Sequence, residues 1–162
     1  MHELVRRPGE MRELSNKIPN ASAMGNGIVA VPLGAELGLE VRLESVHEGI
    51  LATGEVETLA VGDCSRCLDP INLPVKVDFQ ELFAYSGQSD EDLLVHDNQI
   101  DMEQVLIDSV VLSLPFQPVC SENCPGLCAD CGEKLNDGKN HQHETPVDPR
   151  WNALEDLLKK EE

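Results

Sequence analysis

Residues 39–79 read LEVRLESVHEGILATGEVETLAVGDCSRCLDPINLPVKVDF, and their alternation decides the fold. Leu39, Val41, Leu43 and Ser45 alternate with Glu40, Arg42, Glu44 and Val46, the period-two pattern of a strand with one buried and one solvated face. His47-Glu48-Gly49 offers a hairpin turn. Residues 50–61 then return, with Leu51, Thr53, Glu55, Glu57 and Leu59 on one side and Ile50, Ala52, Gly54, Val56, Thr58 and Ala60 on the other. Gly54 marks a bulge or a close backbone approach. After a Cys64-Ser65-Arg66-Cys67 knuckle, Ile71, Leu73, Val75, Val77 and Phe79 share a face. Pro74 has no amide to donate, which predicts an edge or bulged strand. Three consecutive strands predict an antiparallel meander.

Upstream, residues 28–31 form a short apolar run stopped by Pro32, and residues 15–27 read as a linker rich in Ser, Asn, Ala and Gly. Pro8-Gly9 makes a turn and residues 11–14 read as a short helical turn. Arg6, Arg7 and Arg12 make this arm basic in an acidic chain, either as a solvated leader or as a contact arm. Downstream, residues 86–92 are acidic and without period. Asp101 is placed to cap a helix, with Gln104 at the capping-box position. Met102, Val105, Leu106, Ser109, Val110 and Ser113 share its face, Ile107, Val111 and Leu112 widen it, and Pro115 ends it. Asp148-Pro149 opens a last helix with Trp151, Leu154, Leu157 and Leu158 on one face.

The expected architecture is α+β, a small antiparallel or mixed sheet or partly closed barrel covered by helices. It divides into a basic arm and loop (1–27), a β-rich core with a covering helix (28–119), and a cysteine/histidine knuckle with a C-terminal helix (120–162) integrated with the core. The expected partner contacts are Arg6, Arg7, Arg66, Arg150 and Trp151.

Residues 120–150 carry too little apolar material to form a core of their own. Cys120, Cys124, Cys128 and Cys131 fall within twelve residues, and His141 and His143 follow. Thiolates two residues apart can hold one tetrahedral ion while a following glycine turns the backbone, which makes structural zinc the first candidate. Cys128-Ala129-Asp130-Cys131-Gly132 has that form. The expected site uses at least three members of the 120–131 cluster. Either His141 and His143 or Cys120 and Cys124 could close it, and the histidines have a plain alternative as solvated tail residues. Cys64 and Cys67 bring the potential ligands to eight, enough for one or two ions. Disulfides need an oxidising compartment, and no secretory segment is present. Thioredoxin-like chemistry needs a helix after its Cys-x-x-Cys, where Leu68-Asp69-Pro70 and an alternating run stand instead.

The 162 residues carry 12 basic and 30 acidic side chains, a formal charge of −18. Such a surface repels bare phosphate backbone and favours a basic protein partner over naked RNA. Three Phe, one Tyr and one Trp give little material for base stacking, and no apolar run approaches the roughly 20 residues of a membrane span. A Gly-rich phosphate loop, an HExxH motif and a framed nucleophilic serine are all missing, so the chain reads as a non-enzymatic protein.

The 101–150 stretch resembles the YceD-type family of large-subunit ribosomal RNA accumulation proteins. The likeness lies in Asp101 and the apolar helix, Leu114-Pro115, Cys120-x3-Cys124-Pro125-Gly126-Leu127-Cys128-x2-Cys131-Gly132, Leu135-Asn136 and Asp148-Pro149-Arg150. Cys64-Ser65-Arg66-Cys67-Leu68 matches the family's other signature, Cys-x-Arg-Cys. Residues 4–9 and 48–54 are similar to actinobacterial members. The family often carries Cys-x-Cys where this chain has His141-x-His143, so the resemblance implies a metal-binding role for those histidines. It also implies a part in accumulation of the large ribosomal RNA and, as partner, a basic ribosomal protein or a large-subunit precursor. Two rival readings remain, an acidic binding module for a basic client unrelated to ribosomes and a thiol redox or metal-sensing protein.

Overall fold

The computed structural model describes residues 4–87, 93–135 and 143. Six strands form one sheet: β1 (Met11–Pro19), β2 (Met24–Gly25), β3 (Val29–Val31), β4 (Glu36–Ser45), β5 (Gly49–Asp63) and β6 (Pro70–Ala84), followed by α1 (Glu103–Ser113). All strand pairings are antiparallel. The expected meander is β4-β5-β6. β5 is its spine, pairing along its whole length with β6, while β4 and β3 share its other edge. The sheet is open rather than a closed barrel, and one helix covers little of it.

The inner face follows the alternation. Val41, Leu43, Ile50, Ala52, Val56, Ala60, Val75, Phe79 and Phe83 are buried on it, joined by Val105, Leu106, Val110 and Leu114 from the helix side. Burial of this kind contributes roughly 1.5–3 kcal/mol for each large side chain. Gly54 is a close approach, because a Cβ there would lie 2.4 Å from the Glu40 carbonyl oxygen and 2.8 Å from the Phe79 ring. β6 pairs only with β5 among the described strands, so the residue lacking an N–H, Pro74, sits on an edge as expected.

Three expectations fail. Residues 11–19 are not a helical turn and linker but β1, paired from Met11↔Glu44 to Pro19↔Glu36. Its residues are all exposed, so backbone pairing rather than a buried face holds it and no alternation advertises it. The arm before it is anchored as well. Leu4 is buried, the Arg6 amide donates to the Tyr85 hydroxyl at 2.7 Å, and the Arg7 amide donates to Ser45 Oγ at 3.2 Å. At α1 no capping box forms. Asp101 Oδ1 accepts from the Glu103 amide at 3.0 Å, while Gln104 bonds to Asp108 and Leu112 points outward, 83% exposed. The expected C-terminal helix, with Arg150 and Trp151, lies outside the described residues.

Candidate metal centre

The β5–β6 hairpin ends in a tight knuckle. The Cys64 amide donates to the Asp69 carbonyl at 2.8 Å, and the Leu68 amide returns to the Cys64 carbonyl at 2.9 Å. The Arg66 amide donates to Cys64 Sγ at 3.5 Å. Residues 128–133 repeat the pattern: Cys128 amide to Glu133 carbonyl at 2.8 Å, Gly132 amide to Cys128 carbonyl at 2.9 Å, and Asp130 amide to Cys128 Sγ at 3.4 Å. Leu68 and Gly132 occupy the same place, both at positive φ, 58° and 74°. In each turn the backbone aims amides at sulfur, favouring the thiolate over the thiol.

The chain brings these knuckles to two different clusters. Cys64, Cys67, Cys120 and Cys124 form one group whose sulfurs lie within 4.8 Å of one another. Cys64 and Cys124 sulfurs are 3.9 Å apart and those of Cys67 and Cys120 are 3.7 Å apart. A tetrahedral ion with bonds of about 2.3 Å to sulfur needs edges of about 3.8 Å, so this donor set fits one. Cys64, Cys67 and Cys124 are buried against Ile71 and Val119. This is the inner site. Two further bonds seat it: the Ser65 amide donates to the Pro118 carbonyl at 2.8 Å and the Cys120 amide to Cys64 Sγ at 3.3 Å.

The outer group is Cys128, Cys131 and His143. His143 Nε2 lies 3.3 Å from Cys128 Sγ, while His143 and Cys131 are exposed. His141, the other histidine of the expected set, lies outside the described residues. Both groups could hold a metal ion. The 120–131 cluster, expected to give three ligands to one ion, is therefore divided two and two. Pro125-Gly126 makes the division, turning the chain with Gly126 at φ +79°.

None of the six cysteines is in a disulfide, and each knuckle splits its pair electrostatically. Cys64 is held down to about 6, first by the Cys67 amide, with the Arg66 and Cys120 amides helping against burial. For Cys67 the Asp69 amide pulls downward, but burial and the neighbouring sulfurs push it up to about 12. Cys128 is lowered, first by the Cys131 amide, and Cys131 is raised because burial and the nearby Cys128 outweigh the Glu133 amide. In each pair the first cysteine is shifted toward the thiolate and the second toward the thiol, and a bound cation would displace the protons that remain.

Sequence reasoning placed Arg66 among partner contacts. Its Nη1 donates to the carbonyls of Glu122 and Cys124, both at 3.1 Å, bracing the loop that carries two inner sulfurs. Arg6 stands over the Tyr85 ring, 5.7 Å from its centroid, and Arg7 is exposed. Sequence reasoning missed Asp69 and Lys134. Asp69 Oδ2 lies 3.3 Å from Cys67 Sγ, and its other oxygen pairs with Lys134. Pro70 after Asp69 had suggested only a turn, and a 65-residue separation hides the pair. No helix among the described residues is long and apolar enough to cross a membrane.

Comparison with known proteins gives the relationship. The family model described as large ribosomal RNA subunit accumulation protein YceD matches residues 52–158, the span holding all six cysteines. An uncharacterized protein of Mycobacterium tuberculosis is 45% identical over 162 residues, covering 96% of this chain and 78% of the relative. One from Mycobacterium leprae is 40% identical, covering 96% and 74%. The uncharacterized protein YlbN of Bacillus subtilis is 30% identical over 104 residues, 61% of this chain and 60% of its own. No solved structure matches. With its family model covering both knuckles, α1 and the β5–β6 hairpin from Ala52 onward, the chain belongs to the YceD family of large ribosomal RNA subunit accumulation proteins.

Proposed function

We propose that this protein is a non-enzymatic factor that supports accumulation of large-subunit ribosomal RNA, or assembly of the large subunit, through contact with a basic protein. Family membership is the observation that carries the reading. At the inner site the donor chemistry supports its non-enzymatic part, because four sulfurs close a tetrahedral site and leave no position there for substrate. Zinc is the metal that suits both donor sets, being bound by thiolate and imidazole and without redox demands. Bound at the inner site, it would supply a fixed cross-link between the β5–β6 hairpin and the segment after α1. The protein acts in the cytoplasm, where thiols stay reduced and free to bind metal. The charge of −18 directs it toward a basic ribosomal protein or a large-subunit precursor already clothed in such proteins, and away from naked RNA.

The test is the ratio of large- to small-subunit ribosomal RNA after depletion of the protein. A selective fall in the large RNA, restored by complementation, is the expected result. An unchanged ratio under efficient depletion removes the ribosomal reading and brings forward an acidic module for an unrelated basic client.

A further inference from the structure

The outer hairpin is built against the inner knuckle. It is small, closed by the single bridge Leu127↔Lys134, and a two-stranded ribbon of this size has little stability alone. Inner-knuckle residues tether it in three ways. The Arg66 guanidinium holds the Cys124 carbonyl at 3.1 Å, at the entrance to the hairpin. The Arg66 backbone fills the space beside Gly126, where a Cβ would lie 3.1 Å from the Arg66 carbonyl oxygen. Gly126 in turn accepts from the Leu135 amide at 3.0 Å, joining the hairpin's two ends. Finally, Asp69 pairs with Lys134, opposite Leu127 in the bridge itself.

We propose that the two metal sites load in order, inner before outer, and that Arg66 and the Asp69–Lys134 pair are the positioning residues that couple them. The inference rests on the zinc reading above and is independent of the ribosomal one. The inner site has four sulfur donors, three of them buried, and binds first. Its ion locks the Cys64–Cys67 turn to the loop carrying Cys120 and Cys124, which fixes where Arg66 and Asp69 stand. The outer hairpin then folds on a finished platform, so its ligands have less freedom left to lose when zinc arrives. Cooperativity of this origin is reciprocal, the outer ion tightening the inner by the same factor. The outer site, with Cys131 and His143 exposed, is the one that exchanges with the surroundings.

The experiment follows zinc content and release from the full-length chain, using native mass spectrometry and a chromogenic chelator. The wild type is expected to hold two ions and to yield the outer one first. R66A should lower outer-site affinity about 10- to 100-fold, the usual effect of removing a group that orients ligands, and loosen the inner ion as well, because its side chain also braces the inner loop. K134A should lower outer-site affinity by a similar factor and keep the inner ion. K134R should restore most of that loss. Serine at both Cys128 and Cys131 should leave one tightly held ion. Serine at both Cys64 and Cys67 should weaken the outer site as well, with the sheet's circular dichroism confirming that the chain remains folded. Unchanged outer affinity in R66A and K134A overturns the coupling, even if the inner double variant does not fold. A wild-type chain that binds no zinc overturns the metal reading beneath it.

Discussion

Leu68 and Gly132 hold equivalent positions in two turns, and only one is the residue the backbone asks for. Leu68 has φ 58° and Gly132 φ 74°. A left-handed conformation costs a side-chain-bearing residue roughly 1–2 kcal/mol, and glycine little. The Leu68 side chain is 63% exposed, so packing returns little of that cost. Leu68→Gly is therefore expected to stabilise the protein by about 1 kcal/mol, measured as a higher urea midpoint at an unchanged slope. Gly132→Ala is expected to do the reverse by a similar amount, although nothing lies within 4 Å of its added methyl. If both substitutions prove neutral, the knuckles do not hold these backbone angles in solution. Position 132 was legible in the sequence because Cys-x-x-Cys-Gly carries its own reason for the glycine. Position 68 was not, since Leu-Asp-Pro advertises a turn without saying which residue takes the strained angle.

At the scale of elements, the sheet and the metal region rest on different supports. The main core joins the inner faces of the strands to α1, while the inner cysteines form a separate cluster with Ile71 and Val119. Removing the proposed zinc from the second is therefore expected to leave the first intact. Hydrogen exchange after chelation should show the amides of Ser65, Leu68, Cys120, Cys128 and Gly132 losing protection, while those of β4 and central β5 keep theirs. Equal loss across the whole chain would mean that the metal region supports the sheet, and this division is then wrong. The same contrast explains which elements the sequence announced. β4, β5 and β6 each bury one face and leave the other wet, so Val41, Ile50, Val56 and Phe79 stand out by spacing. β1 buries neither face, and its side-chain link to β4 is the exposed Lys17–Glu36 ion pair, which no spacing in the sequence announces. For the candidate metal-binding cysteines the sequence shows the residues but not the two groups into which they divide. Cysteine spacing records which sulfurs are near in the chain, whereas Cys64 and Cys124 meet across 60 positions because β6 and α1 return the chain to the end of β5.

Across the whole molecule, the charge of −18 is visible in the sequence, but its arrangement needs the register. Glu40 pairs with Glu55 and Glu55 with Asp78, which puts three carboxylates side by side across three strands on the outer face. Lys76 answers part of this, reaching Glu55 at 2.5 Å and Glu57 at 2.8 Å. Like charges directly opposite one another in a sheet oppose its formation, and the field of the whole chain adds to that repulsion. Salt should therefore steady the free protein, because the screening length shrinks from about 10 Å at 0.1 M to about 3 Å at 1 M. Thermal unfolding across that range is expected to show a rising midpoint. Glu40→Gln should raise the low-salt midpoint, by under about 1 kcal/mol in stability, and flatten its dependence on salt. A complex with the proposed basic protein should respond in the opposite sense, its association slowing as the attraction that steers it is screened. These opposite slopes separate an acidic surface used for a basic partner from one that only keeps the chain soluble. If salt steadies the free chain and leaves association unchanged, contact runs through apolar groups and the acidic surface has no part in recognition.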